Sequence, residues 1–586
     1  MLKYEDYLLP KVNVRNYSTV YEMLKTSCEE YKDKTVFQRK TKNGDYKKIT
    51  YGEFWEISDK LAKFLKSRGA NSSKKIGIMA ENRPEWGISY LSIMKTGATI
   101  IPVDAQMGLE DLQFVLTHSG TEILFISKNK FKNVLSKHIK KCKKLKLIIL
   151  MDETKIKNPK IFSWNGAIKK GEKVKTKPKV NIKPEKILEL LYTSGTTGNP
   201  KAVMLTHKNI ISDIKGVVRM EYLSSDDVFL SLLPIHHVFE STAGFILPLY
   251  LGATITYAES FKSNHIIANI KETNVTVVLG VPLLFEKIYF GILRGVSEKS
   301  HFVRFMFQTM LYLTKFSRYF VPKGIGGVLF KGLRKKAGLD SLRLLISGGG
   351  PLPYIVAKGY IELGFTLIQG YGLSETSPVV TVGTEKYNNP KSIGLPLPDV
   401  KIKIDNPDKK GIGEIILKGP MVMKGYYKNP SATKEVKKRG WFYTGDAGFI
   451  DKKGYIYITG RLKNVIVTHG GKNVFPEELE EKLNLHPYIK ESMVYGKALS
   501  DKVKGERVEA IIVPDYDFLS EEWKTVKNAG ISDEDVKKEI SDIVATINDK
   551  LPAYKKISYW IINKHELIKT STKKVKRYLY KTIEKI

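Results

Sequence analysis

The sequence has 586 residues, of which 42% are hydrophobic and 27% charged, a globular composition too large for one small core. We expect three or four structural units. The two cysteines, Cys28 and Cys142, show no metal-ligand spacing, which argues against a disulfide framework and favours a reducing compartment. The opening residues MLKYEDYLLP mix charged with apolar side chains, unlike a signal peptide, so we expect a cytoplasmic protein.

The formal net charge of +36 is unusual. It is compatible with nucleic acid, an anionic membrane surface or small anionic ligands. It is equally compatible with a lysine-rich solvated surface, because lysine occurs throughout the chain, from Lys11 to Lys585.

Through the first four hundred residues, short apolar segments alternate with segments of helical spacing. The segment 84–97 has helical periodicity and ends at a glycine. This alternation predicts an α/β fold with two parallel-rich sheets covered by helices. The predicted strands are KKIGIMA, ATIIPV, TEILFIS, KLKLIIL, ATITYA, VTVVLG and LRLLIS.

The longest uncharged run, STAGFILPLYLGATITYA, spans residues 241–258 and just reaches the length of a membrane span. It contains Pro248, two glycines and several hydroxyl groups. We therefore predict a buried helix, a turn at Leu251–Gly252 and a buried strand rather than a membrane span.

Residues 290–336 interleave aromatic residues with arginine and lysine. A basic amphipathic helix with aromatics is typical of a protein that lies on an anionic membrane. An ordinary helix whose aromatic stripe packs on the core would have the same pattern, so the sequence leaves both interpretations open.

From about residue 390 the pattern changes to short alternating segments with glycine turns, such as VKIKI, GEIILKG and GYIYITG, which predict antiparallel strands. We expect a distorted β-barrel at about 381–460. The residues after it predict a small α+β domain, with helices at PEELEEKL and DEDVKKEISDIVATINDKL. The predicted division is therefore 1–460 and 461–586.

The segment LYTSGTTGNPKAVMLTH, residues 191–207, has the composition of a phosphate-binding loop. It does not fit the Walker A pattern, because its glycine spacing differs and Pro200 precedes Lys201. The sequence thus predicts phosphate binding without the P-loop geometry.

Further motifs follow in order along the chain: LPIHHVFE, SGGGPLP, QGYGLSETSP, GWFYTGD, ITGRLKN, GGKNVFPEELE and TSTKKVKR. Together with YTSGTTGNPK they resemble the motifs of the adenylate-forming enzymes, which include acyl-CoA synthetases, firefly luciferase and peptide-synthetase adenylation domains. The matches extend over nearly the whole chain.

The resemblance implies ATP-dependent activation of a carboxylate to an acyl-adenylate, then transfer to a thiol. It implies Mg²⁺ held by Glu375 and Thr193, a catalytic lysine at Lys574, and His237 beside the acyl group. The small C-terminal domain is implied to be mobile, with a hinge near Lys463 and a CoA path past His469 and Gly470. The implied ATP-binding residues are Thr193, Ser194, Gly195, Thr196, Thr197, Gly198, Lys201, Gly349, Gly350, Gln369, Gly370, Tyr371, Gly372, Ser374, Asp446 and Arg461.

Several of these residues have a specific implied role. The ring of Tyr371 would lie against adenine, and Ser374, where the family usually has threonine, would donate to the α-phosphate. Asp446 would accept hydrogen bonds from the ribose, with Arg461 beside the sugar or its phosphate.

The acid is best matched to a long-chain fatty acid, because Glu240, VVLGVPLLFEKI, the aromatic insertion and the T-x-T-x-K-x-K-R ending resemble long-chain acyl-CoA synthetases. Three alternatives stay open: a fatty acyl-AMP ligase, an acyl-carrier-protein ligase, and a membrane- or nucleic-acid-binding protein on an inactive scaffold. We expect fatty acid, ATP and CoA as ligands, peripheral contact with an anionic membrane as a hypothesis, and no specific nucleic acid. Acyl chain length and oligomeric state are not predicted.

Overall fold

The computed structural model describes residues 14–156, 158–175, 180–193, 200–318, 320, 325–500, 503–527, 530–569 and 575–580. They pack as two units, one of residues 1–401 and 418–442 and the other of residues 402–417 and 443–586. The strands predicted just before residue 460 group with the C-terminal residues in this packing. The division at 460 and 461 stays a prediction.

The first unit contains an eight-stranded sheet in which the strands in the middle and at one edge run parallel. Two antiparallel strands complete its other edge. In sheet order the strands are Gly425–Tyr426, Lys201–Thr206, Ile187–Thr193, Thr99–Pro102, Lys75–Met79, Ile123–Ile126, Leu147–Leu150 and Ile161–Ser163.

A nine-stranded sheet lies in the same unit, with a parallel centre and antiparallel strands at both ends. In sheet order its strands are Leu395–Pro396, Val379–Val382, Leu367–Gly372, Leu344–Ser347, Val277–Gly280, Val228–Ser231, Thr254–Tyr257, Thr35–Lys40 and Tyr46–Thr50. All seven strands predicted in the first four hundred residues are present, and each is two or three residues shorter than its predicted segment. The α/β prediction is confirmed.

Helices separate the strands of both sheets, and their apolar faces are buried. Several begin at side-chain caps that follow a strand directly; Thr50 and Thr206 each accept a hydrogen bond from the backbone three residues on. The longer helices are Val20–Glu30, Tyr51–Ser67, Pro84–Met94, Leu109–Ser119, Trp164–Glu172, His207–Met220, Ser263–Thr273, Pro282–Ser297, His301–Ser317, Tyr354–Glu362 and Pro430–Val436.

The long uncharged run is buried in the first unit. A π-helix over Phe239–Ile246 continues into the α-helix Leu247–Leu251, Gly252 takes a left-handed conformation, and Thr254–Tyr257 is a central strand. The predicted helix, turn and strand are confirmed. No helix among the described residues is both long and apolar enough to cross a membrane. Cys28 and Cys142 are buried free thiols, as predicted.

The predicted antiparallel strands are present as Lys401–Asp405, Gly413–Lys418 and Ile456–Arg461, most of whose residues belong to the second unit. Together with Trp441–Ile450, which was not predicted as a strand, they belong to a five-stranded sheet. After them, strands Ile489–Ser500, Val503–Pro514 and Tyr559–Ile562 form a second sheet. Three helices, Pro476–Asn484, Tyr516–Lys527 and Asp533–Asp549, pack on this sheet around Leu479, Ile512 and Ile540. The predicted α+β character of the C-terminal residues is confirmed.

Candidate active site

Four of the predicted motifs follow four neighbouring parallel strands of the nine-stranded sheet. HHVF follows Val228–Ser231, VPLL follows Val277–Gly280, SGGG follows Leu344–Ser347, and the acidic motif follows Leu367–Gly372. Since the carboxyl ends of parallel strands meet at one edge, all four loops lie at the same side of the sheet. That is the usual position of a ligand crevice in α/β proteins.

A side chain would be excluded at one glycine of this edge and crowded at another. A β-carbon at Gly372 would lie 1.6 Å from the carbonyl oxygen of Pro378, and one at Gly348 would lie 3.0 Å from the ring of Phe239. Gly349 has a φ of 81°, the left-handed region that glycine adopts readily. The glycine-rich composition of this edge therefore has a steric cause.

Gln369 and Tyr371 lie on the strand Leu367–Gly372. The amide of Gln369 donates to the carbonyl oxygens of Pro390 and Ser392 at 2.9 and 3.1 Å, which holds the loop 390–392 against the strand. The ring of Tyr371 is buried. The contribution of Gln369 to the structure is thus to fix a neighbouring loop, and its predicted contact with ATP stays a prediction, as do those of Gly349, Gly350, Gly370 and Tyr371.

Glu375 lies in a one-turn helix, Ser374–Thr376, that the Thr376 hydroxyl closes by donating to the carbonyl oxygen of Pro378. The hydroxyl of Tyr426 donates to Glu375 Oε1 at 2.7 Å. The Nζ atom of Lys201 lies 5.2 Å from the centre of the Tyr426 ring. A carboxylate and an ammonium group, both predicted site residues, therefore meet at a tyrosine that the sequence did not single out.

Tyr426 is placed by strand pairing rather than by any local pattern. The two-residue strand Gly425–Tyr426 pairs with Met204 and Val203 on the strand that begins at Lys201. Asn209 donates to the carbonyl oxygens of Pro420 and Val422 and so fixes the segment that leads into this strand. The N–H of Met423 donates to the carbonyl oxygen of Glu375 at 2.8 Å.

The described parts of the phosphate-loop motif lie on two paired antiparallel strands. Thr193 and Lys201 are cross-strand partners at the ends of Ile187–Thr193 and Lys201–Thr206, and the Thr193 hydroxyl donates to the carbonyl oxygen of Lys201 at 3.4 Å. Ser194, Gly195, Thr196, Thr197 and Gly198 lie outside the described residues. The base of the loop is therefore beside the Lys201, Tyr426 and Glu375 group.

His237 is half-buried and lies next to a second histidine. The rings of His236 and His237 are 4.3 Å apart, and His236 Nε2 is 3.5 Å from Asp104 Oδ1. Asn82 donates to the carbonyl oxygen of Leu233 at 2.7 Å and accepts from the N–H of Ile235 at 3.1 Å. Because Asn82 and Asp104 follow strands of the eight-stranded sheet, both sheets contribute to the position of His237.

Glu240 is completely buried in the π-helix that follows His237. Burial raises the pKa of its carboxyl group to about 8, and the nearby Ser231 hydroxyl and Leu233 N–H offset only part of this effect. Neither carboxyl oxygen has a hydrogen-bond partner in the structure. Burial therefore favours the neutral form of the Glu240 carboxyl group at pH 7, a property that its sequence context did not reveal.

In the second unit the structure brings together Asp446 and Arg461, which the resemblance assigned to the ribose. They are cross-strand partners on Trp441–Ile450 and Ile456–Arg461, and Arg461 Nε lies 2.7 Å from Asp446 Oδ1. Asp446 is 5% exposed, and its N–H donates to the Thr444 hydroxyl at 3.0 Å. The ion pair orients both side chains. Their binding of ribose stays a prediction.

The residues predicted for the hinge and the CoA path lie further along the same unit. Lys463 is in the turn Leu462–Asn464. His469 is exposed, with its Nδ1 atom 2.9 Å from the carbonyl oxygen of Lys504, and a side chain at Gly470 would meet no atom within 4 Å. The hinge and the CoA path stay predictions.

Lys574 lies outside the described residues, but the chain on both sides of it is well anchored. Lys569 and Val575 form an antiparallel bridge, and Lys569 makes an ion pair with Glu491 at 2.6 Å. Arg577 binds the carboxylate of Glu480, whose side chain on the helix Pro476–Asn484 is 14% exposed. The segment with the predicted catalytic lysine is thus held at both ends.

Sequence reasoning missed Tyr426, Asn82, His236 and Asp104. His236 carried a signal, since it belongs to the HHVF motif. The other three are single polar residues whose role depends on long-range contacts.

Comparisons with known proteins agree with this architecture. Residues 24–427 match the family model for the AMP-binding enzyme, and residues 478–574 match that for the AMP-binding enzyme C-terminal domain. The chain is 28% identical over 569 residues to the chloroplastic long-chain-fatty-acid–acyl-carrier-protein ligase of Arabidopsis thaliana, covering 85% of this chain and 76% of that protein. It is 29% identical over 561 residues to fatty acyl-CoA synthetase B of Dictyostelium discoideum, covering 91% and 81%.

Among solved structures, ATP-bound MatB from Rhodopseudomonas palustris matches with a TM-score of 0.74 over 97% of this chain and 100% of that one. Its sequence identity is 23%, so this likeness concerns the fold.

Proposed function

Because the chain belongs to the AMP-binding enzyme family, we propose that it is a long-chain fatty acid–CoA ligase that forms AMP. It activates the acid with ATP to an acyl-adenylate, releases pyrophosphate, and transfers the acyl group to the thiol of CoA. The contact of Tyr426 with both Glu375 and Lys201, at the base of a Gly-, Ser- and Thr-rich hairpin loop, is the observation that best supports this chemistry. A carboxylate and an ammonium group beside such a loop suit a magnesium-bound polyphosphate.

The residues present fit Mg²⁺. Glu375 offers carboxylate oxygens, of which Oε1 is oriented by the Tyr426 hydroxyl, and Thr193 offers a neutral hydroxyl oxygen. When bound, the ion neutralises charge on the phosphates of ATP. Lys201 adds a positive charge near the same phosphates.

In the first half-reaction a carboxylate oxygen of the acid attacks the α-phosphorus of ATP. The bond from that phosphorus to its bridging oxygen breaks, and pyrophosphate leaves. Both reactants are anions, so the ammonium group of Lys574 stabilises the charge that grows between them. Asp446 and Arg461 hold the ribose, with the ring of Tyr371 against adenine.

In the second half-reaction the CoA sulfur, having lost its proton to solvent, attacks the acyl carbon. The bond from that carbon to the AMP oxygen breaks, and AMP leaves. Lys574 and an incoming thiol need the same space in turn, so a rotation about Lys463 is required between the steps, with His469 and Gly470 then beside CoA.

Long-chain specificity is supported by the name of the Arabidopsis relative and by the aromatic insertion at 290–336. The Arabidopsis relative, which is named for an acyl-carrier-protein acceptor, makes carrier protein the second candidate acceptor. His237 lies beside the buried π-helix Phe239–Ile246, which is apolar enough to border an acyl chain. Activation without any thiol transfer is the third outcome to distinguish.

A substrate panel tests the proposal. Pyrophosphate release is measured with acids from acetate to oleate, each with and without CoA, and then with a carrier protein. We expect the highest kcat/KM with long acids and acyl-CoA as product. AMP release that does not respond to CoA, or a preference for acetate, would contradict it.

Lys574→Ala tests the catalytic assignment, with Lys573→Ala as the matched control beside it. We expect Lys574→Ala to lower adenylation by about two orders of magnitude or more, because a charge-stabilising group is lost, and Lys573→Ala to have little effect. If neither wild type nor variants release pyrophosphate with any acid, the chain is an inactive scaffold.

A further inference from the structure

The helix His301–Ser317, which we call the aromatic helix, has two apolar stripes. One packs on the core of the first unit through Phe307, Met310 and Leu311. The other faces solvent and consists of Phe302, Phe305, Met306, Tyr312, Leu313 and Phe316. The sequence interpretation in which the aromatic stripe packs on the core is therefore wrong for most of the aromatic residues.

The exposed stripe follows helical spacing and does not consist of scattered residues. Its members recur at intervals of three, four and seven residues, so they share one side of the helix, roughly opposite Phe307. Phe302, Phe305, Tyr312 and Phe316 are 72%, 65%, 70% and 55% exposed. Single exposed hydrophobic residues are ordinary, but a contiguous row of aromatics marks an interaction surface.

The part of the chain that carries the stripe is strongly basic, although Arg334 is held by the carbonyl oxygens of Gly327 and Gly364. The aromatic helix contains Arg304 and Lys315 and no acidic residue. Residues 282–318 and 325–338 together contain ten lysine and arginine residues and two glutamates. The partner of this surface must therefore combine an apolar phase with negative charge.

We propose that the aromatic helix docks flat on an anionic lipid bilayer, with its exposed stripe in the interface and its basic neighbours on the lipid phosphates. At 1.5 Å per residue the 17-residue helix is about 25 Å long and lies in the plane of the interface. Aromatic side chains prefer this depth, and each basic residue near an anionic surface adds attraction.

Two other partners fit less well. A second copy of the chain would bring two basic surfaces into contact, and like charges repel. A nucleic acid would satisfy the positive charge, yet its phosphate backbone offers no apolar phase for a row of phenylalanines. Docking would hold the enzyme at the bilayer in which long-chain acids dissolve. This consequence rests on the proposed function, but the docking itself does not depend on it.

Sedimentation with vesicles tests the docking, using phosphatidylcholine alone and phosphatidylcholine with about one-third phosphatidylglycerol. The test variant is Phe302→Ser/Phe305→Ser/Phe316→Ser. The matched control is Tyr222→Ser/Phe261→Ser, whose two aromatics are each 64% exposed but lie outside the aromatic helix. We expect wild type and control to bind the anionic vesicles, less at high salt, and the triple variant to bind at least about tenfold more weakly.

Thermal unfolding and pyrophosphate release with a short, water-soluble acid show whether the triple variant is folded, and we expect both to match wild type. The proposal is overturned if wild type does not bind anionic vesicles at low salt. It is also overturned if the triple variant binds like wild type, since the charge alone would then suffice, or if sedimentation velocity shows a lipid-free dimer that the triple variant abolishes. Absence of pyrophosphate release with every acid would instead refute the proposed function and leave the vesicle result unaffected.

Discussion

The hydroxyl group of Tyr426 fixes the orientation of the Glu375 carboxylate, on which the proposed magnesium site depends. A hydrogen bond to a charged group contributes about 1.5–3 kcal/mol. We therefore expect Tyr426→Phe to raise the Mg²⁺ concentration needed for half-maximal pyrophosphate release by about tenfold. A magnesium titration of initial rates measures this.

Tyr427→Phe is the control. Tyr427 is the next residue along the chain, and its ring packs against His118 and Lys75. An unchanged magnesium dependence in Tyr426→Phe would show that Glu375 does not need this bond.

Glu240 predicts a pH dependence of stability. The pKa of Glu240 in the folded protein, about 8, is above the ordinary value of 4.5. Its contribution to the free energy of unfolding is therefore complete below pH 4.5 and is lost as the pH rises through 8. Between these values the group lowers the free energy of unfolding by about 1.4 kcal/mol per pH unit. Glu240→Gln should remove that part of the slope, which denaturant unfolding at pH 5.5, 6.5 and 7.5 measures.

The comparison with Glu240→Gln isolates this residue from Glu189 and Glu221, whose pKa values burial also raises, to about 7. Equal slopes in variant and wild type would mean that Glu240 is ionised in the folded protein.

At the scale of elements, the ion pair of Glu480 and Arg577 joins the helix Pro476–Asn484 to the chain that follows Lys574. Glu480 also accepts from the N–H of Val494, and Arg577 donates to the carbonyl oxygen of Val494 at 2.8 Å. Arg577, the last residue of TSTKKVKR, thus serves to anchor the motif. The Glu480 side chain is only 14% exposed, so its carboxylate depends on Arg577 for much of its stabilisation.

Removing Arg577 should therefore be costly. We expect Arg577→Met to lower the free energy of unfolding by about 1.5–3 kcal/mol, because a mostly buried carboxylate loses the hydrogen bonds of its charged partner. Glu480→Leu/Arg577→Met should recover most of the loss. Chemical denaturation followed by Trp fluorescence measures both.

Lys564→Met is a control in which the broken ion pair, with Asp533, is exposed on both sides. It should have little effect on the free energy of unfolding, because exposed ion pairs contribute little to stability. A double variant as unstable as Arg577→Met would show that packing around Arg577, not charge, is responsible.

At the scale of the whole molecule, the net charge of +36 acts on every anionic ligand that approaches. ATP and CoA are polyanions, so a positive surface raises their rate of encounter, and salt screens it over a Debye length of about 10 Å at 0.1 M. We expect kcat/KM for ATP to fall several-fold, up to about tenfold, between low and high salt, with kcat nearly unchanged. Initial rates at a series of NaCl concentrations, at fixed magnesium, measure this.

Acetate in place of chloride is the control for a specific anion effect. If kcat/KM for ATP does not depend on salt, the positive charge does not act on ATP as it approaches its binding site.

Local patterns in the sequence were sufficient for the strands, the helices and the family motifs. Short apolar runs such as those at 75–79 and 277–280 predict buried strands between helices. The glycine-rich motifs could be recognised in the sequence because each glycine serves a local purpose, either a tight turn or a close contact between backbone segments. The burial of residues 241–258 in the first unit was predicted from the borderline length of the run, Pro248, its two glycines and its hydroxyl groups.

Only the tertiary structure decided the features that depend on distant partners. The short strand Gly425–Tyr426 has no periodicity of its own and exists because it pairs with Val203 and Met204. The burial that protonates Glu240 comes from surrounding elements, and the ion pair of Asp446 with Arg461 depends on strand register. The same holds for the aromatic helix. Its sequence contains two apolar stripes, but only the fold decided which of them is buried. The reason is that a helix on the surface of a domain packs one face on the core and leaves the opposite face to solvent.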